Sequence, residues 1–64
     1  MVKLNIPVES PLDLYLESIW DTRIEWSLHV AALAYVNEVT WDGFVTVVTF
    51  ETEEQKNWFL LKFS

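Results

Sequence analysis

The stretch Tyr35–Phe50 constrains this chain more than any other. Two segments of alternating side chains, Tyr-Val-Asn-Glu-Val-Thr-Trp and Phe-Val-Thr-Val-Val-Thr-Phe, flank the dipeptide Asp42-Gly43. Asp-Gly accommodates the positive φ angles of a two-residue type I′ turn, and the β-branched and aromatic residues beside it suit a pleated surface. The expectation is a hairpin with Trp41 opposite Phe44, Val39 opposite Thr46, Asn37 opposite Val48 and Tyr35 opposite Phe50. One face then collects Tyr35, Val39, Trp41, Phe44, Val48 and Phe50 as a core platform. The other mixes Val36, Val45 and Val47 with Glu38, Thr40 and Thr49, and suits either water or a partner.

A chain of 64 residues has room for one domain, residues 1–64, which buries roughly 60% of the surface of its unfolded form. Cysteine is absent and histidine occurs once, so there is no disulfide or thiolate metal site, and a zinc site would need carboxylate help. Stability must come from apolar content. Hydrophobic residues make up 52% of the chain, including four Trp, four Phe and two Tyr, more than so small a core can hide. An exposed apolar patch is therefore expected, the mark of self-association or of a partner site.

Ten acids against four bases give a formal net charge of −6, which opposes direct binding to nucleic acid or to an anionic membrane. No apolar run approaches the roughly 20 residues of a membrane span. The N-terminus lacks the charged, apolar and small-residue order of a signal peptide, and the expected location is the cytoplasm.

Along the chain, Val2, Leu4, Ile6 and Val8 alternate with polar residues as a strand, and Pro7 confines it to an edge. Ser10-Pro11-Leu12-Asp13 reads as a helix start, with Ser at the N-cap, Pro at N1 and an acid at N3. Leu12, Tyr15, Leu16 and Ile19 continue it as an amphipathic helix to about Trp20. Residues 21–36 carry two competing periods. Ile24, Trp26, Leu28 and Val30 alternate as in a strand, while Leu16, Trp20, Ile24, Leu28, Ala31 and Tyr35 extend one helical stripe. The alternation favours the strand, with a bulge near Ala31–Ala34. Thr52-Glu53-Glu54-Gln55 is a second capping box, opening a helix that turns Trp58, Phe59 and Leu61 inward. The expected fold is thus α+β, a single small β-α-β-β-α domain with a three-stranded sheet and two helices on one face. The alternative is one long helix over residues 11–36 followed by the Asp-Gly hairpin and a C-terminal helix.

The ending Val45-Thr-Val-Val-Thr-Phe-Glu-Thr-Glu-Glu-Gln-Lys-Asn-Trp-Phe-Leu-Leu-Lys-Phe63 resembles the closing segment of small hypothetical proteins of tailed bacteriophages, in which a strand, an acidic helix start and a Phe-x-Leu-Lys-aromatic finish recur. It covers about 19 residues of the chain. The resemblance implies a phage origin and a role in host takeover or defence evasion, and it carries no catalytic residue.

Glu9, Asp13, Glu17, Asp21 and Glu25 recur every fourth position, neighbours on a helix face and mutually repulsive. They read as a solvated face, a charged protein-binding face, or a strip imitating a nucleic-acid backbone. Four helical residues rise about 6 Å against one phosphate per about 3.4 Å of strand, so the strip is too sparse to favour mimicry. Leu14 lies beside Glu17 and Asp21 on the polar side, and Trp20 and Trp26 are the tryptophans least committed to a core face. His29 has no nucleophile tied to it, and one glycine builds no phosphate loop. The reading is a non-enzymatic protein-binding domain without cofactor, a modulator or inhibitor of a host protein, contacting its partner through Asp13, Leu14, Glu17, Asp21, Trp20 and Trp26. A self-associating structural protein, such as a homodimer, is the runner-up, and a nucleic-acid mimic comes third.

Overall fold

The computed structural model describes residues 1–63. The order is β1 (Val2–Pro7), α1 (Pro11–Trp20), α2 (Arg23–Ala31), β2 (Glu38–Asp42), β3 (Val45–Phe50) and α3 (Glu53–Phe63). The class is α+β. The strands form one antiparallel sheet in the order β1-β3-β2, which leaves β1, with its Pro7, at an edge.

Both N-caps form, and at α3 the full capping box does. Ser10 Oγ accepts from the Asp13 backbone N–H at 3.3 Å to start α1. At α3, Thr52 Oγ1 accepts from the Gln55 N–H at 3.2 Å, and Gln55 Oε1 accepts from the N–H groups of Glu51 and Thr52 at 3.0 and 3.3 Å. A third cap lies where the sequence pattern favours a strand: Thr22 Oγ1 accepts from the Glu25 N–H at 3.1 Å and opens α2.

The strand expected over residues 24–30 is therefore a helix, and the sheet is covered by three helices instead of two. An alternating row also contains pairs four apart, and such pairs share a helix face. Trp26 and Val30 are one pair and are fully buried, while Ile24 and Leu28 are the other and face solvent. Nor is there one long helix. Asp21 has φ 73° and ψ −47°, and the Thr22 N–H donates to the Trp20 carbonyl at 2.9 Å. These values describe a γ-turn with a positive φ at its centre, which ends α1 and redirects the chain.

The hairpin forms with a register two residues away from that expected. Asp42 pairs with Val45, Trp41 with Thr46 and Val39 with Val48, so Gly43-Phe44 is the loop, not Asp42-Gly43. Gly43 takes φ +64° at the first loop position and Phe44 keeps a negative φ, the glycine placement of a II′ turn. A slip of two preserves the side-chain faces, because strand side chains alternate with period two. Val39, Trp41, Val48 and Phe50 thus share the expected face, but Phe44 falls in the loop and is 83% exposed and Trp41 is 52% exposed, so neither joins the core expected of it. Tyr35 and Val36 precede β2 in the connection over residues 32–37, where Val36 is buried in the core and so is absent from the outer sheet face.

The core sits between that face and the helices. Ile6, Val48 and Phe50 from the sheet meet Leu16 of α1, Trp26 and Val30 of α2, and Phe59 and Phe63 of α3. Phe59 lies 5.5 Å from Phe50 and 4.9 Å from Phe63 between ring centroids, in the tilted arrangement aromatic pairs prefer. Trp58 and Leu61 are not inward as expected, being 58% and 78% exposed. With Trp58-Phe-Leu-Leu and Phe63 apolar nearly all round, α3 can bury only the side that meets the sheet, and Phe59 and Phe63 occupy it.

Candidate functional site

α1 carries apolar residues at 12, 14, 15, 16, 19 and 20, an arc wider than one contact can cover. Only Leu16 is fully buried; Leu12 and Trp20 are half-buried, and Leu14, Tyr15 and Ile19 are exposed. The same surplus exists on α3. Where the two helices approach, Pro11, Leu12 and Tyr15 from α1 face Leu60 and Phe63 from α3 across a groove of about 370 Å³. Its lining is apolar apart from the Tyr15 phenol. Ile19 lies one turn beyond Tyr15 on the same side of α1. Trp20 adjoins through Phe63, 5.8 Å away between ring centroids, and its ring also stacks on His29 at 5.2 Å.

The residues expected to contact a partner divide between surface and interior. Leu14 and Asp21 are exposed, and Glu17 and Trp20 are half-buried. Asp13 and Trp26 have no exposed surface, and a side chain without exposed surface touches no partner. Trp26 Nε1–H donates to Asp13 Oδ1 at 3.0 Å, and the Glu9 backbone N–H donates to Asp13 Oδ2 at 2.8 Å. The acid at N3 is thus a buried clamp. With Asp13 inside, and Glu25 starting a separate helix after the turn at Asp21, the five acids do not form a continuous row.

Sequence reasoning passed over Tyr15, Leu60 and Phe63 as groove residues, because Tyr15 and Ile19 sit in the stripe read as core. The available signal was the excess: a single sheet face cannot bury six apolar positions of α1 together with five of α3.

A second exposed apolar group lies at the hairpin end. Trp41 is 52% and Phe44 83% exposed, and the Arg23 guanidinium lies 5.8 Å over the Trp41 ring, a cation–π contact between α2 and β2. The Phe44 carbonyl accepts from the Val8 N–H at 2.8 Å, which fastens the tip to the end of β1. Trp26 Nε1 is satisfied, whereas the Thr46 and Tyr35 hydroxyls have no hydrogen-bond partner among the described residues. Burial raises the Tyr35 phenol above its ordinary value of 10.0. Among the described residues no three His, Asp or Glu side chains converge to hold a metal ion, and no helix is long and apolar enough to cross a membrane.

No family model, curated protein or solved structure matches this chain.

Proposed function

We propose that this chain is a small acidic protein-binding domain, a phage-encoded modulator or inhibitor of a host protein in the host cytoplasm, acting by contact and not by catalysis. The observation that carries the reading is the open groove between α1 and α3. Five side chains, Pro11, Leu12, Tyr15, Leu60 and Phe63, leave about 370 Å³ of almost wholly apolar space at the surface of a chain whose net charge is −6. Apolar surface left open in a charged soluble chain favours a protein partner, and the depth suits one or two anchoring side chains. Ile19 and Trp20 widen the contact area, and Leu14, Glu17 and Asp21 form the flank toward the polar side of α1. The negative charge selects for a partner with a neutral or basic rim.

The test is capture from host lysate on immobilised protein, with the wild type compared against Tyr15→Lys and Ile19→Lys. Both positions are exposed, so the variants are expected to keep the wild-type circular dichroism spectrum. The expected result is one stoichiometric partner on the wild type and its loss on both variants. Equal retention by all three proteins, or no stoichiometric partner across a range of salt concentrations, overturns the reading.

A further inference from the structure

We infer that the outer face of the sheet, opposite the helices, is a self-complementary docking surface for a second copy of this chain. This surface is separate from the α1–α3 groove, and the inference stands independently of the function proposed there.

The strand pairings place three rows of side chains on that face. Lys3, Thr49 and Glu38 form the first, Asn5, Val47 and Thr40 the second, and Pro7, Val45 and Asp42 the third. Down the centre runs β3 with the half-buried Val45 and Val47, and with Thr49, which is only 7% exposed between Lys3 and Glu38. The edge strands contribute exposed polar or charged residues, apart from Pro7. An apolar centre inside a polar rim is the anatomy of an interface.

The charges decide which occupant fits. Lys3 lies at one edge and Glu38 at the other, about 10 Å apart across two strand spacings, with Thr49 between them. Neither has an ion-pair partner among the described residues. A two-fold axis running along β3 lays β1 of one copy over β2 of the other. Each Lys3 then meets the Glu38 of the second copy, Asn5 meets Thr40, and Val47 meets Val47 on the axis. A two-fold axis across the strands instead stacks Glu38 over Asp42 and is disfavoured. Two ion pairs and a central valine contact thus select the aligned packing common to sheets that meet face to face.

The size of the face sets the strength. Three strands about 14 Å wide and six residues about 20 Å long give roughly 300 Å², below the ~800 Å² per partner of a stable interface. The dimer is accordingly weak and reversible, and it loosens as salt screens the pairs.

Sedimentation velocity on the full chain, up to about 1 mM and at low salt, tests this. The wild type is expected to show a monomer–dimer equilibrium. Lys3→Glu alone and Glu38→Lys alone each bring like charges together and weaken it about tenfold, a loss of about 1.4 kcal/mol. Mixed in equal amounts, the two variants restore both pairs and form a heterodimer of wild-type strength. Val47→Lys, which places two charges at the axis, abolishes association. The inference is overturned by a wild type that stays monomeric at the highest concentration, by a dimer indifferent to the single substitutions, or by a mixture no tighter than its components.

Discussion

The indole N–H of Trp26 donates to the Asp13 carboxylate across 3.0 Å, with both side chains wholly buried. The bond ties α2 to the first turn of α1, and the other carboxylate oxygen holds the Glu9 backbone N–H. Glu9 has φ 65°, so the carboxylate also fixes the left-handed residue that carries the chain from β1 into α1. Removing it leaves two donors without an acceptor. Asp13→Ala is expected to cost about 2–4 kcal/mol, a large share of the stability of so small a domain. Trp26→Phe in that background should cost less than Trp26→Phe alone, with a coupling of about 1 kcal/mol or more. Urea denaturation of the four proteins checks both numbers, and strictly additive losses would show that the bond contributes nothing.

Asp21 carries backbone strain. A non-glycine residue at φ 73° and ψ −47° is held there by the turn between α1 and α2, at a cost of about 1–2 kcal/mol. Glycine relieves that cost but enlarges the unfolded ensemble by about 0.4–1 kcal/mol. Asp21→Gly is therefore expected to be stabilising by about 0.5–1 kcal/mol, and Asp21→Ala to be neutral or destabilising. Thermal midpoints rank the three proteins, and a destabilised Asp21→Gly would show that the side chain does more than occupy the turn.

How far the sequence discloses this molecule is visible at the same two positions. Caps are local, so Ser10 with Asp13 and Thr52 with Gln55 mark helix starts that the structure keeps. Thr22 is a cap of the same kind, with Glu25 three residues on, but it precedes an alternating row that also reads as a strand. The choice between those periods depends on what lies above and below the row. Trp26 needs an acceptor for its indole N–H, and Asp13, thirteen residues away, supplies it; no local pattern encodes that pairing. The hairpin faces were legible because a slip of two preserves them, while the register depended on whether Gly43 came second or first in the loop. The groove was hidden for a related reason: Tyr15 and Ile19 have core periodicity, and only the limited area of a three-stranded sheet leaves them outside.

Thr46 lies fully buried between Ile6 and Trp41 in the sheet, and its hydroxyl has no hydrogen-bond partner among the described residues. A buried hydroxyl without a partner costs about 1–3 kcal/mol, and valine has the same branching and suits the strand. Thr46→Val is expected to raise stability by about 1 kcal/mol while the fold is unchanged. The chemical denaturation midpoint measures it. A loss of stability would mean that the hydroxyl is satisfied by water in solution.

Tyr35 supplies a pH dependence whose sign follows from its burial. Its hydroxyl is enclosed without a partner in the connection before β2, and desolvation raises its pKa above 10.0 in the folded chain. The unfolded phenol, in water, ionises near 10. Between these two values the folded chain holds a proton that the unfolded chain has released, so stability falls as pH rises through that window. Below pH 10 both states are neutral and the phenol contributes no slope. Tyr35→Phe removes this ionisation along with the unpaired hydroxyl. The variant is expected to be at least as stable as the wild type at neutral pH and to gain on it steadily as pH rises above 10. Urea midpoints at neutral pH and at two values above 10 give the comparison. A gap between the two proteins that stays constant with pH would place the Tyr35 hydroxyl in water.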